Sequence, residues 1–149
     1  MNMKTIVVGL DGSAESSRAL EWAADLALAA DAEITAVTVF DSGPYISWNV
    51  PDLEQPRATL RQELDSWCEP LRRRGVAHHS IMREGSPAEE LLKEANGSTD
   101  LTVVGSRGRG GFRELLLGSV AHQVVQYSRN PVVVVPPLAV QSNDSRDSG

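Results

Sequence analysis

The chain carries little of what metal, redox or membrane chemistry requires. Cys68 is the single cysteine among 149 residues, and histidine occurs three times. No internal disulfide can form, and the zinc spacings built on paired cysteines or clustered Cys and His are absent, so a reducing compartment is expected. No apolar run reaches half of the ~20 residues that a membrane helix needs. Asp11 interrupts the N-terminal stretch too early for a secretory signal; the expectation is a cytoplasmic protein with no membrane partner. Lysine is also scarce: Lys4 and Lys93 are the only two, and the Gly-Lys-Ser or Gly-Lys-Thr end of a P-loop does not occur. Cations are outnumbered, 14 Lys and Arg against 20 Asp and Glu, for a net charge of -6. That balance opposes the counterion release that drives nucleic-acid binding, so no nucleic-acid partner is expected.

What is present suffices for one domain. With 41% apolar residues, a chain of this size buries roughly 68–70% of its unfolded surface. Lys4 to Gly9 (KTIVVG) is a β-branched run. Asp11-Gly12-Ser13 follows it, then an alanine-rich stretch with Leu20, Ala23, Ala24, Ala27 and Leu28 at helical spacing. This reads strand, turn, helix. Glu33 to Phe40 predicts a second strand, and Asp41 to Gln55, with Gly43, Pro44 and Pro51 and no clear period, a long surface loop. Leu60, Leu64, Trp67 and Leu71 form the stripe of an amphipathic helix that Gly75 ends. A third strand is expected near Ala77 to Arg83. Ser86-Pro87-Ala88-Glu89 predicts a helix start with a hydroxyl N-cap, proline at N1 and the Glu89 carboxylate reaching back. That helix runs to about Asn96-Gly97. Asp100 to Gly105 is the fourth strand, Gly118-Ser119 opens a last helix, and Val132 to Val135 is the fifth strand. Residues 1–138 make the domain, and 139–149 a polar tail expected to be disordered.

Strands alternating with helices, and apolar at nearly every position, predict an α/β fold: a parallel sheet covered on both faces. Ligands of such sheets bind outside the carboxyl ends of the strands, where the winding reverses. The loops after strands one and four therefore belong to one edge. The informative pattern there is Gly105-x2-Gly108-x9-Gly118-Ser119. Gly105 ends a strand where a ligand can lie close to the backbone, and Gly108, Gly110 and Gly111 permit positive φ. Gly118-Ser119 presents N–H groups and a hydroxyl at a helix start, where the dipole favours phosphate. These parts suit a nucleotide; the same glycines also serve a turn with nothing bound. Gly108-Arg109-Gly110-Gly111-Phe112 approaches a dinucleotide fingerprint, but Arg113 stands where its final glycine belongs, and the stretch follows the fourth strand rather than the first. A flavin phosphate beside the first strand would be repelled by Asp11.

The opening IVVGLDGSAES, the ALEWAADLA helix, the TVVGSRGRGGFRELLLGSVAHQVV block and the closing NPVVVVP resemble the universal stress protein family, in its ATP-binding branch. The resemblance covers about residues 3 to 137. It implies a flavodoxin-like (adenine nucleotide alpha hydrolase-like) five-stranded sheet of order 3-2-1-4-5, bound ATP, ADP or AMP with or without magnesium, and a stress-responsive homodimer with an unknown regulatory partner. The implied nucleotide site comprises Gly9, Asp11, Val39, Gly105, Ser106, Arg107, Gly108, Gly118, Ser119 and Val120. Asp11 lies near the ribose or a phosphate-bound magnesium, or else caps a helix. Val39 lies beside the adenine with its backbone offering edge hydrogen bonds, and Ser119 with the Val120 N–H takes the phosphates.

Other residues leave alternatives open. Arg107, Arg109 and Arg113 pair with phosphates or stay solvated, and Trp48 folds over the nucleotide or packs on the domain or a partner. Trp67 and Cys68 lie on or beside a core stripe, and His78, His79 and His122 have no ligand partners in sight. No catalytic residue is expected. Asp11 is the only acidic candidate near the loops, which favours regulatory binding over a slow ATPase or phosphotransferase; an interaction module without nucleotide is the remaining alternative. Val132 to Val135, bracketed by Pro131, Pro136 and Pro137, predicts an edge strand, and dimerisation through it.

Overall fold

Each β-branched run forms a strand in the computed structural model, which describes residues 2–108 and 117–138. Arg109, Gly110, Gly111, Arg113 and the expected tail at 139–149 lie outside the described residues. β1 (Thr5–Gly9), β2 (Glu33–Phe40), β3 (His78–Glu84), β4 (Leu101–Gly105) and β5 (Val132–Val135) build one sheet in the order β3-β2-β1-β4-β5. All neighbours are parallel, as expected.

Successive strand residues face opposite sides of a sheet, which explains why these strands are apolar throughout. Ile6 and Val8 join the core under α1 (Ala14–Ala30), α3 (Glu54–Trp67) and α4 (Glu69–Arg73), together with Leu20, Ile34, Leu64 and Leu71. Val7 between them joins the opposite core, with Val37, Leu91, Val104, Ala121 and Val124, under α5 (Pro87–Ala95) and α6 (Ser119–Tyr127). Both faces are therefore covered. α1 turns mostly small residues inward, Ala19, Ala23, Ala24 and Ala27, so its backbone lies close to the sheet. Arg18 of α1 donates to the Pro136 carbonyl just beyond β5. Among the described residues no helix is long and apolar enough to cross a membrane.

Three local expectations need correction. The stretch expected as one long loop contains a short helix, α2 (Gly43–Ser47), started by Pro44, and α3 already begins at Glu54. The helix expected to run through Leu71 is divided: α3 ends at Trp67, and α4 starts with Pro70 in its first turn. Proline lacks the N–H that a continuous helix would need there, and Gly75, at φ +71, closes the segment. At the start of α5, Ser86 takes the extended N-cap conformation but makes no side-chain cap bond. Glu89 is exposed. The carboxylate in use is Glu90, drawn back to Arg83 at 2.9 Å and to Lys93 at 2.8 Å. Gly85 makes room for it, since a Cβ there would lie 2.9 Å from Glu90 Oε2.

Candidate functional site

The winding reverses between β1 and β4, whose following helices α1 and α6 cover opposite faces. A cleft of about 180 Å³ opens at that point of the carboxyl edge. Of the expected residues, Gly9, Asp11, Val39, Gly105 and Val120 line it. Thr38, Leu91 and Ala121 add to its wall, and α3 contributes Leu60, Glu63 and Trp67.

The backbone of β2 outruns β1 here. The Leu10 N–H donates to the Val37 carbonyl at 2.8 Å, whereas the Phe40 carbonyl accepts from Gly85 N–H at 3.0 Å on the β3 side. Strand backbone groups alternate between the two neighbours. The N–H and C=O of Val39 therefore point to the β1 side, beyond its last hydrogen bond, where a planar heterocycle with donor and acceptor edges can meet them.

The loops facing this backbone differ from each other. In the β1–α1 turn, Gly12 supplies φ +83, and the Ser13 side chain caps α1 by accepting from Ser16 N–H at 3.1 Å. Asp11 Oδ1 accepts from both the N–H and the hydroxyl of Ser13, at 2.9 and 2.5 Å. Asp11 thus supports the capping residue rather than capping the helix itself. At α6 the N-cap is Gly118, which has no side chain to cap with. Ser119 is the first helical residue and is exposed, so it is not a serine N-cap. The N–H groups of Ser119, Val120 and Ala121 have no intrahelical acceptor. The Gly118 N–H is not among the available donors, because it bonds the Ser106 carbonyl at 2.6 Å.

Packing between these loops constrains the glycines to different degrees, most strictly at Gly105. A Cβ at Gly105 would lie 2.8 Å from the backbone and Cβ of Glu15 in the first turn of α1, one at Gly108 would strike the Asp11 carboxylate, and one at Gly118 would come within 3.3 Å of the Arg107 Cα. Gly108 does not adopt positive φ; its lack of a side chain matters instead. Ser106 is only 3% exposed. Its N–H bonds Val135 and its carbonyl Gly118, so it joins β4, β5 and α6, and its hydroxyl is buried without a hydrogen-bond partner. Arg107 is half-buried beside Gly118.

Glu63 and Trp67 were not expected in the site. They belong to the Leu60–Leu64–Trp67 side of α3, and the position of Glu63, three residues after Leu60 and four before Trp67, was the signal available for it. Trp48 does not reach the cleft: it is 72% exposed and packs edge-to-face on Tyr45. His78 Nδ1 lies 2.8 Å from the Val76 carbonyl and His79 Nε2 3.3 Å from Thr35 Oγ1. Cys68 is buried, which pushes its thiol pKa up and leaves it a poor nucleophile. The described residues include no group of three side chains able to hold a metal. Magnesium typically takes one or two carboxylates together with substrate phosphates. Asp11 fits one ligand of an ion that arrives with phosphates, not a protein-only cage.

At the edge of the sheet, Thr102 N–H bonds the Pro131 carbonyl and Ser106 N–H the Val135 carbonyl. The alternate residues Val132 and Val134 consequently turn their backbone groups away from β4. Val132, Val133 and Val134 are half-buried and Val135 is buried.

The profile of the universal stress protein family matches residues 2–136. Universal stress protein MJ0531 of Methanocaldococcus jannaschii is 32% identical over 145 residues, which cover 89% of this chain and 81% of the relative. YxiE of Bacillus subtilis is 35% identical over 144 residues, covering 87% and 97%. Some relatives are longer: the chain spans 45% of a universal stress protein from Mycolicibacterium smegmatis, at 39% identity. Among solved structures, hypothetical protein MJ0577 superposes with a TM-score of 0.83 over 94% of this chain and 100% of its own, at 24% identity, and shares the fold. A universal stress protein solved in complex with cAMP superposes with a TM-score of 0.66 over 91% and 98%, at 27% identity.

Proposed function

The chain belongs to the universal stress protein family, and from that premise we propose that it is an adenine-nucleotide-binding regulatory protein of the stress response, a cytoplasmic homodimer whose state follows nucleotide occupancy. The observation that carries the reading is the meeting of two sets of open backbone groups at one cleft, those of Val39 and those of the uncapped start of α6. The adenine lies against Val39. The phosphates meet Ser119 and the Val120 N–H, where the helix dipole favours anions, and Gly108 and Gly118 let them approach. Asp11 holds the ribose or a magnesium ion delivered with the phosphates. The related structure with cAMP supports the ligand class. β5 supports the dimer, since an apolar edge with outward N–H and C=O groups is a template for a second strand.

The test is the nucleotide released on denaturing the purified protein, with calorimetric titration of ATP into the wild type and Ser119→Pro. Proline at the first helical position removes one N–H and the hydroxyl while remaining compatible with the helix, and Gly118 already has the extended conformation favoured before proline. Co-purified adenine nucleotide, or micromolar ATP affinity that falls about 10-fold or more in the variant, is the expected result. No nucleotide and no binding at millimolar ATP would overturn the reading.

One observation favours slow hydrolysis as a second reading: Asp11, the acidic candidate expected from the sequence, stands in the wall of the cleft. Turnover faster than about 1 per second, the lower end of ordinary enzyme rates, would make the protein an enzyme rather than a binding switch.

A further inference from the structure

Four carboxylate side chains among the described residues are not exposed: Glu15, Glu63, Glu90 and Glu94. Three of them have an evident source of stabilisation. Glu90 and Glu94 both bond Arg83, at 2.9 and 2.7 Å, and Glu90 also bonds Lys93. Glu15 sits in the first turn of α1, where the helix dipole favours a negative charge. Glu63 has neither advantage. It lies ten residues into the fourteen of α3, and its neighbours at three and four residues, Thr59, Leu60, Ser66 and Trp67, include no cation. Within the described residues it makes no hydrogen bond or ion pair. A half-buried carboxylate in a wall shared with Leu60, Trp67 and Leu91 has no hydrogen-bond partner among the described residues, and a hydrogen-bonding ligand can supply one.

Glu63 also gives the cleft a direction. This carboxylate enters from α3 on one face of the sheet, and Val120 and Ala121 enter from the first turn of α6 on the other. An anionic group is repelled from the first and favoured at the second. The end of the ligand at Glu63 must therefore be uncharged or cationic and must offer a donor. Val39, which lines the cleft together with Glu63, presents one backbone acceptor and one donor. A 6-aminopurine satisfies both sides: N1 accepts from the Val39 N–H, and the exocyclic amine has two hydrogens, one for the Val39 carbonyl and one for a second acceptor.

We propose that Glu63 is that second acceptor, a specificity-determining residue that selects a 6-amino over a 6-oxo purine. The assignment deepens the nucleotide reading and rests on it. A 6-oxo purine would place a carbonyl oxygen against the carboxylate, leaving two acceptors face to face. Sites built to hydrogen-bond an N–H reject analogues that lack it far more strongly than apolar pockets reject a missing methylene.

The test titrates the full-length protein and Glu63→Gln with ATP, with inosine triphosphate, and with purine riboside triphosphate, which lacks the amine but keeps N1 as an acceptor. In the wild type, purine riboside triphosphate is expected to bind at least about 10-fold more weakly than ATP, since it loses both the bond to the Val39 carbonyl and the bond to the charged Glu63; in Glu63→Gln that deficit should shrink, because only the Val39 bond remains at full strength. In Glu63→Gln, whose amide also donates, the preference for ATP over inosine triphosphate is expected to shrink by about 10-fold or more. Glutamine is a good helix former at a half-exposed position, so the variant should keep its fold. If the wild type binds ATP and Ser119→Pro weakens it, but Glu63→Gln changes neither the ratio of ATP to inosine triphosphate nor that of ATP to purine riboside triphosphate by more than about twofold, the Glu63 assignment is wrong and the nucleotide site stands. An equal loss for all three ligands in Glu63→Gln likewise overturns it. No binding of ATP to the wild type would remove both readings together.

Discussion

α1 and α6 begin on the same edge of the sheet, one after β1 and one after β4, and the chain finishes them in opposite ways. At α1 the Ser13 hydroxyl accepts from Ser16 N–H and is itself held by Asp11. At α6 the capping position is Gly118, which has no side chain to cap with. Both helices have the same dipole and the same orphan N–H groups. A ligand can complete only the one that the protein leaves incomplete. The usual stabilising choice, a polar side chain before the helix, has been made at α1 and omitted at α6, although the starts of both helices border the cleft.

Giving α6 the cap that α1 possesses should erase the contrast and produce the largest effect. Gly118→Asp supplies an oxygen for the first-turn donors and a negative charge where phosphates are expected, and like charges brought together at an interface cost several kcal/mol. ATP affinity by calorimetry should fall at least about 100-fold, while the denaturation midpoint changes little, because the slightly better cap that aspartate provides offsets the 3.3 Å approach of its Cβ to the Arg107 Cα. Unchanged affinity would show that α6 is not the phosphate end.

Next in size is the point where the two helix starts lean on each other. In Gly105→Ala the new methyl meets the Glu15 backbone, which cannot move as the end of a flexible side chain can. Overpacking of this kind should destabilise by about 1–3 kcal/mol, read by denaturant unfolding. Gly9→Ala meets the Leu91 side chain instead and should cost less. Ser13→Ala removes the α1 cap and should lower stability by about 1 kcal/mol with ATP affinity within about twofold of wild type. A large loss of affinity there would mean that the α1 turn, too, belongs to the phosphate site.

The smallest effect concerns a third helix start on the same edge, α5, which Glu90 ties to β3. The Lys93 ammonium and then the Arg83 guanidinium hold the Glu90 carboxyl below its ordinary value of 4.5. Because the folded value is the lower one, the contribution of this pairing is complete above 4.5 and disappears as the pH falls through the folded value. Glu90→Gln should therefore flatten part of the loss of stability in acid and change little at pH 7 beyond the loss of the pairing itself. A wild-type and variant midpoint falling in parallel down to pH 2 would assign the acid sensitivity elsewhere, with Asp100, held low by the Lys4 and Thr5 N–H groups, the next carboxyl to replace.

The strands, their order and the edge that bears the cleft were legible because each depends on a pattern many residues long: β-branched runs, helical stripes and the reversal that a doubly wound sheet requires. Shorter signals fared unevenly. Gly75 ended its helix as expected, yet Pro70 divided the segment before it, because one missing donor outweighs a continuing stripe. Ser86 took its capping conformation, but the carboxylate meant to complete the box was superseded by Glu90, which finds two cations. Gly105, Gly108 and Gly118 were recognised as a set, while their contacts with Glu15, Asp11 and Arg107 join loops distant in sequence and leave no local trace. Glu63 was invisible for a related reason: on an amphipathic helix a polar residue beside the stripe reads as solvent-facing until the neighbouring layer is in place.

Trp67, set in the wall of the cleft and also bordering the space beneath the first turn of α1, gives the molecule an optical reporter of its own. The chain has two other tryptophans, Trp22 and Trp48, which are 41% and 72% exposed and should emit as solvated indoles. The shorter-wavelength part of the emission then belongs to Trp67. A purine entering the cleft should alter that part and leave the red component unchanged, so occupancy can be followed in unlabelled protein, and the rate of its change gives the time for which the site holds its ligand.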